Sequence, residues 1–117
     1  MGYQTANTTE IDSVVPEEFG GMWFFREPLG CENLGVTLLE LEPGAKGKPH
    51  DHSDDGHEEV YLVVDGELTV QVGGTEDDPD AERTLASGEA IRVDGDTHRQ
   101  LFNDGGERVR VAIAGAP

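Results

Sequence analysis

The sequence predicts an all-β, single-domain protein, an antiparallel sandwich or barrel with a short N-terminal arm. Glycine and proline together supply 22 of the 117 residues (16 and 6), a share that suits strands and turns and is too high for a helical bundle. Apolar residues fall in short runs at intervals of about eight to twelve residues, separated by glycine turns, which is the spacing of sandwiches and barrels. No segment keeps a helical period for more than about two turns. At this length the chain holds one core, so residues 1–117 form one domain, with the core in about 34–117 and an arm and edge strand in 1–33.

In chain order, residues 1 to about 15 read as a loosely held arm, and Met22-Trp-Phe-Phe25 as a bulky edge strand. Leu34 to Leu41 is a strand that stops at Glu42-Pro43-Gly44. Glu59 to Val64 runs into Asp65-Gly66, a dipeptide favoured in tight type I′ hairpins. Glu67 to Val72 alternates, with Leu68, Val70 and Val72 on one side and Thr69 and Gln71 on the other. Gly73-Gly74 opens an acidic loop, Glu76 to Glu82, read as a solvated hairpin tip. Further strands are Arg83 to Ala86, Glu89 to Val93 after the Ser87-Gly88 turn, and Arg99 to Asn103 after Asp94-Gly95-Asp96. In the last, Glu107 to Ile113, Val109, Val111 and Ile113 share a face opposite Arg108 and Arg110.

The net charge of −17 argues against direct binding to nucleic acid, which needs clustered Lys and Arg to neutralise phosphates. Regular apolar runs argue against reading the same acidity as disorder. Acids concentrated in turns and outward strand positions, with Lys46 and Lys48 as the only lysines, suit a protein of a salt-adapted organism. No apolar run reaches the ~18 residues of a membrane helix, and residues 1–10 lack a basic, then apolar, leader. The lone Cys31 excludes an internal disulfide framework. A soluble cytoplasmic protein with no membrane partner is the expectation.

Three of the four histidines, His50, His52 and His57, lie within eight residues, beside Glu58 and Glu59; the fourth is His98. Residues two apart on an extended chain project from one face, so His50 and His52 converge if Pro49 keeps their segment extended. Glu59, opening the next strand, can present a carboxylate to the same interior once Ser53-Asp-Asp-Gly56 turns the chain back. His98 is the one histidine left to complete such a site. By itself His-x-His is a weak signal, and an acidic loop with histidines embedded in it is the plain alternative.

The surrounding residues resemble the cupin family. Gly44-Ala-Lys-Gly-Lys-Pro-His50-Asp-His52 carries the glycine, gap and His-x-His of the first cupin motif, and Glu59, six residues, then Gly66 its second half. Gly88 through Asn103 resembles the second motif, with Gly95, two residues, then His98. Two departures stand out. Six residues separate His52 from Glu59 where three or four are usual, and Asn103 falls one residue later than the pattern's asparagine.

The resemblance implies a jelly roll, the double-stranded β-helix, with His50, His52, Glu59 and His98 as ligands of a divalent transition metal. A mixed N/O site suits Fe, Mn, Ni, Zn or Cu over Mg or Ca. His57, in the enlarged loop, is a candidate alternative ligand or a support for the ligands, and Tyr61, sharing strand parity with Glu59, a candidate cavity residue. Arg92, Arg99, Arg108 and Arg110 would hold an anionic substrate if any pointed inward, but alternation places most of them outside. The implied function is a metal-binding cupin taking a small organic molecule, as an oxygenase or isomerase. The alternatives are a binding or sensing barrel without turnover and a purely structural barrel. Apolar outer residues such as Met22 to Phe25 lead to the expectation of a homodimer.

Overall fold

The computed structural model describes residues 2–117. Its strands are β1 (Gly20–Phe24), β2 (Gly35–Leu41), β3 (Glu58–Asp65), β4 (Glu67–Val72), β5 (Ala81–Ala86), β6 (Ala90–Val93), β7 (Arg99–Phe102) and β8 (Val109–Ala116). All pair antiparallel, in a five-stranded sheet of order β1-β2-β8-β3-β6 and a three-stranded sheet of order β5-β4-β7. This is the jelly-roll class that the sequence predicts. Among the described residues, helix is confined to one turn, α1 (Arg26–Leu29), and two 3₁₀ turns.

Alternation decides which side of each strand is dry. Leu39 and Leu41 of β2, Tyr61 and Val63 of β3, and Val109, Val111 and Ile113 of β8 point inward from the larger sheet. Leu68 and Val70 of β4, Leu85 of β5 and Leu101 of β7 meet them from the smaller one. Each such side chain contributes about 1.5–3 kcal/mol by leaving water. On the outer side, Arg110 of β8 and Arg108 just before it pair with Glu40 of β2, and Arg108 also with Glu42.

Asp65-Gly66 corrects one expectation. β3 and β4 lie in different sheets, so this dipeptide makes a corner between layers and not a hairpin. A type I′ turn needs positive φ at both central residues, and only Gly66 has it, at +91°. A Cβ there would stand 2.9 Å from the Arg108 carbonyl oxygen and the Val109 Cα, so the corner wraps tightly around the start of β8. Gly73 and Gly74 do open a hairpin, with Val72 opposite Ala81.

The arm is held more firmly than its composition suggests. Asn7 caps the 3₁₀ turn Thr8–Glu10 in a capping box, Val14 N–H donates to the Met22 carbonyl (3.0 Å), and Met22 N–H donates to Ser13 Oγ (3.0 Å). Residue 1 of that arm lies outside the described residues. β1 is an edge strand, with Phe24 exposed.

Two details position the site. Segment 46–50 runs beside β7 through single bridges, Lys46 to Phe102 and His50 to Arg99, which adds an irregular fourth strand to the small sheet. Asn103, fully buried, locks the end of that arrangement. Its Nδ2 donates to the carbonyls of Leu41 and Glu107 (both 2.8 Å), and its Oδ1 accepts from Gly105 N–H (3.0 Å).

Candidate metal centre

His50, His52 and Glu59 come together at one end of the barrel. One ligand atom from each lies within 4.8 Å of the others. His50 arrives on the bridged segment, which Pro49 keeps extended. His52 follows two residues later on the same face, its N–H donating to the Gly95 carbonyl at 2.6 Å. Glu59 enters from β3, pointing inward with Tyr61 and Val63.

Hydrogen bonds fix which nitrogen of each imidazole faces the centre. His50 Nδ1 is 3.0 Å from the Lys48 carbonyl, and His52 Nδ1 is 3.2 Å from Asp55 Oδ2. Each Nδ1 is thereby engaged behind its ring, leaving Nε2 for a cation, which is how histidine ligands are commonly oriented. The two Nε2 atoms lie 3.7 Å (His50) and 3.0 Å (His52) from Glu59 Oε1. Tyr61 OH donates to that same oxygen at 2.6 Å.

The electrostatics follow from this crowding. Burial would raise the Glu59 carboxyl, but its contacts with His50 and Tyr61 and the charges of His52 and Arg99 lower it to about 2. The Glu59 carboxylate raises His50 above its ordinary value, against the opposing effect of burial. Burial, then the Glu59 charge, pushes the Tyr61 hydroxyl upward, so it stays a hydrogen-bond donor. Two imidazole nitrogens and one carboxylate are a donor set that divalent transition metals take, with further positions open to a ligand. The residues present therefore fit a metal ion.

His57 and His98 stand outside this group. The ring of His57 stacks on that of His52 (centroids 6.3 Å apart), and its backbone N–H donates to Asp55 Oδ1 at 2.9 Å. Asp55 thus organises the enlarged loop by holding both residues. His98 lines a cleft of about 550 Å³ with Asp51, Gly73, Asp80 and Asp96. Ser53 hydrogen bonding chiefly lowers the Asp51 carboxyl, with added contributions from the Arg99 and His98 charges. Asp51 alternates with His50 and His52, so His98 shares the face opposite the cluster.

The interior position beside His50 belongs to Arg99. The pair are direct cross-strand neighbours, and such residues project from the same face. Arg99, Leu101 and Asn103 all point inward, at 0, 5 and 0 % exposure. The late asparagine was the available signal: it shifts the strand by one residue, and one residue exchanges the faces.

The family model described as "Cupin domain" matches residues 37–114. No curated protein matches the chain. Among solved structures, a Bacillus halodurans protein, BH2720, is similar with a TM-score of 0.66 and 22% identity, over 73% of this chain and 63% of that one. Thermus thermophilus TT1209 is similar at 0.71 and 24%, over 97% of both chains. An oxalate decarboxylase from Lactobacillus farciminis, in a formate complex, is similar at 0.78 and 16%, over 94% of this chain and 32% of that one. The chain spans a third to nearly all of the length of these proteins, and at such identities the likeness is one of fold.

Proposed function

Since the chain belongs to the cupin family, we propose that it is a metal-dependent cupin whose divalent transition metal sits on His50, His52 and Glu59 and receives a small organic molecule. The convergence of these three side chains within 4.8 Å carries the reading. A bound metal of this kind supplies Lewis acidity and open coordination positions for a ligand.

The chain's own residues prepare that chemistry. Lys48 and Asp55 hold the two imidazoles with Nε2 inward. Tyr61, buried and protonated, steadies Glu59 Oε1 and stays a donor across the working pH range. The Leu, Val and Ile core below closes the barrel floor against water. An oxygenase or isomerase on a small substrate is the enzymatic form of this reading. A sensor that binds without turnover is the second form, supported by the small size of the domain. His98 as a further ligand has its place in the motif and its buried, unpartnered Nε2 to support it, but it lies outside the group of three.

Elemental analysis of the purified protein tests the reading, with about one transition-metal ion per chain expected. His52→Ala and Glu59→Gln are expected to lose it while keeping the wild-type circular dichroism spectrum. A wild type without metal after growth and refolding in supplemented medium overturns the proposal. Oxygen uptake with candidate substrates then separates the oxygenase from the sensor.

Two further expectations belong to the same proposal. The charge of −17 suits work at high salt in the cytoplasm. The exposed Phe24 on edge strand β1, together with Val60, Leu62 and Val64 on the outer face of β3, supports a homodimer.

A further inference from the structure

Arg99 is fully buried inside the barrel. Its Nη2 donates to the carbonyls of Val93 (3.3 Å) and Asp94 (3.2 Å), whereas Nε and Nη1 have no partner. Among the described residues, no carboxylate forms an ion pair with it; Arg92, Arg108 and Arg110 instead pair with acids near the surface. A guanidinium keeps its proton in proteins, so this is a buried charge with no ion-pair contact of its own, an expensive thing to keep.

Its location connects that charge to the candidate metal centre. Arg99 is the cross-strand neighbour of His50, and Val93, to which it is tethered, is the cross-strand neighbour of Glu59. Its field acts on His50, Glu59 and Tyr61 alike. Counted forward from Gly95 the motif's histidine is His98, whereas counted back from the late Asn103 the same position falls on Arg99.

We propose that Arg99 makes this site selective for small carboxylates, the guanidinium standing in place of a fourth protein ligand and attracting the anion. The inference rests on the metal reading above. A divalent ion plus the guanidinium faces only one carboxylate within the cluster, Glu59, which leaves an excess of about two positive charges at the centre. An anionic ligand offsets that excess and offers acceptors to the two unpartnered nitrogens, Nε and Nη1, in charge-assisted hydrogen bonds. A neutral ligand of the same shape offers no charge. With water excluded from the guanidinium, a single such interaction discriminates by about tenfold or more.

The test loads the full chain with Mn²⁺, measures the metal content, and follows the Mn²⁺ electron paramagnetic resonance spectrum during titration with acetate or with acetamide. Wild type is expected to hold Mn²⁺ and to respond to acetate at concentrations at least about tenfold below acetamide. Arg99→Gln is expected to keep its Mn²⁺ and lose that preference, Arg99→Lys to keep part of it, and His98→Ala to keep both metal and preference. Equal responses to acetate and acetamide in wild type overturn the inference and leave the metal reading standing, a comparison that needs no variant to fold. An unchanged preference in Arg99→Gln, or loss of Mn²⁺ in a folded His98→Ala, overturns it as well. A wild type that takes up no metal removes both readings.

Discussion

His50 and Arg99 face each other across an isolated antiparallel bridge, each N–H donating to the other's carbonyl at 2.9 Å. That double hydrogen bond sets the register of the segment carrying the histidines against β7. It puts the imidazole at 50 and the guanidinium at 99 on one face and the side chains of Asp51 and His98 on the other.

Asp55 orients His52 through Nδ1, so its removal acts on the metal without touching it. Asp55→Asn is expected to weaken metal affinity by about ten- to a hundredfold, with Tm nearly unchanged. Competition with a chelator of known affinity measures it, and an affinity equal to wild type would remove Asp55 from the site.

In the metal-free protein, the His50 and Glu59 pair should leave a mark on stability against pH. Glu59 is lowered from 4.5 to about 2, so its contribution is complete above 4.5 and fades as the pH falls toward 2. His50 is raised from 6.5, so its contribution is complete below 6.5 and is lost as the pH rises through the raised value. The Tm difference between wild type and Glu59→Gln should therefore peak between pH 4.5 and 6.5. A difference that keeps growing into the alkaline range would contradict the pairing.

Gly95 lets two loops touch. A Cβ there would lie 2.8 Å from the Gly56 carbonyl carbon and 3.0 Å from the His57 carbonyl oxygen, both backbone atoms unable to yield alone. Gly95→Ala is expected to cost about 1–3 kcal/mol and to weaken metal binding, since the Gly95 carbonyl holds the His52 N–H. Denaturant melts and metal titration on the same sample would show the two effects together; full metal affinity in a destabilised variant would separate the contact from the site.

Asn103 satisfies backbone groups at the end of β2 (Leu41) and in the loop before β8 (Gly105 and Glu107). Asn103→Ala leaves the Leu41 and Glu107 carbonyls without these donors and is expected to lower stability by about 2–4 kcal/mol. Urea unfolding measures this, and a loss under about 0.5 kcal/mol, the size of an ordinary surface change, would mean that water replaces the side chain.

The acidic surface predicts a salt response. Raising KCl from low to molar concentration shrinks the screening length to about 3 Å, so Tm should climb steeply as self-repulsion is relieved. A flat or falling Tm over that range would show that the charge of −17 carries no net penalty.

Strand positions and inward faces were readable from the chain itself, because a period of two in Leu68, Val70 and Val72, or in Val109, Val111 and Ile113, has one outcome when one face must be dry. So was the meeting of His50, His52 and Glu59, since a short turn joins two extended segments and leaves them little else to do. Which strands pair was not readable at Asp65-Gly66: a tight turn looks the same in sequence whether it folds a hairpin or turns a corner between sheets. Nor was the choice between His98 and Arg99 for the interior. Local alternation says only that the two face opposite ways. Which way each faces was decided by hydrogen bonds between residues 50 and 99, far apart in the chain and joined only when the barrel closes.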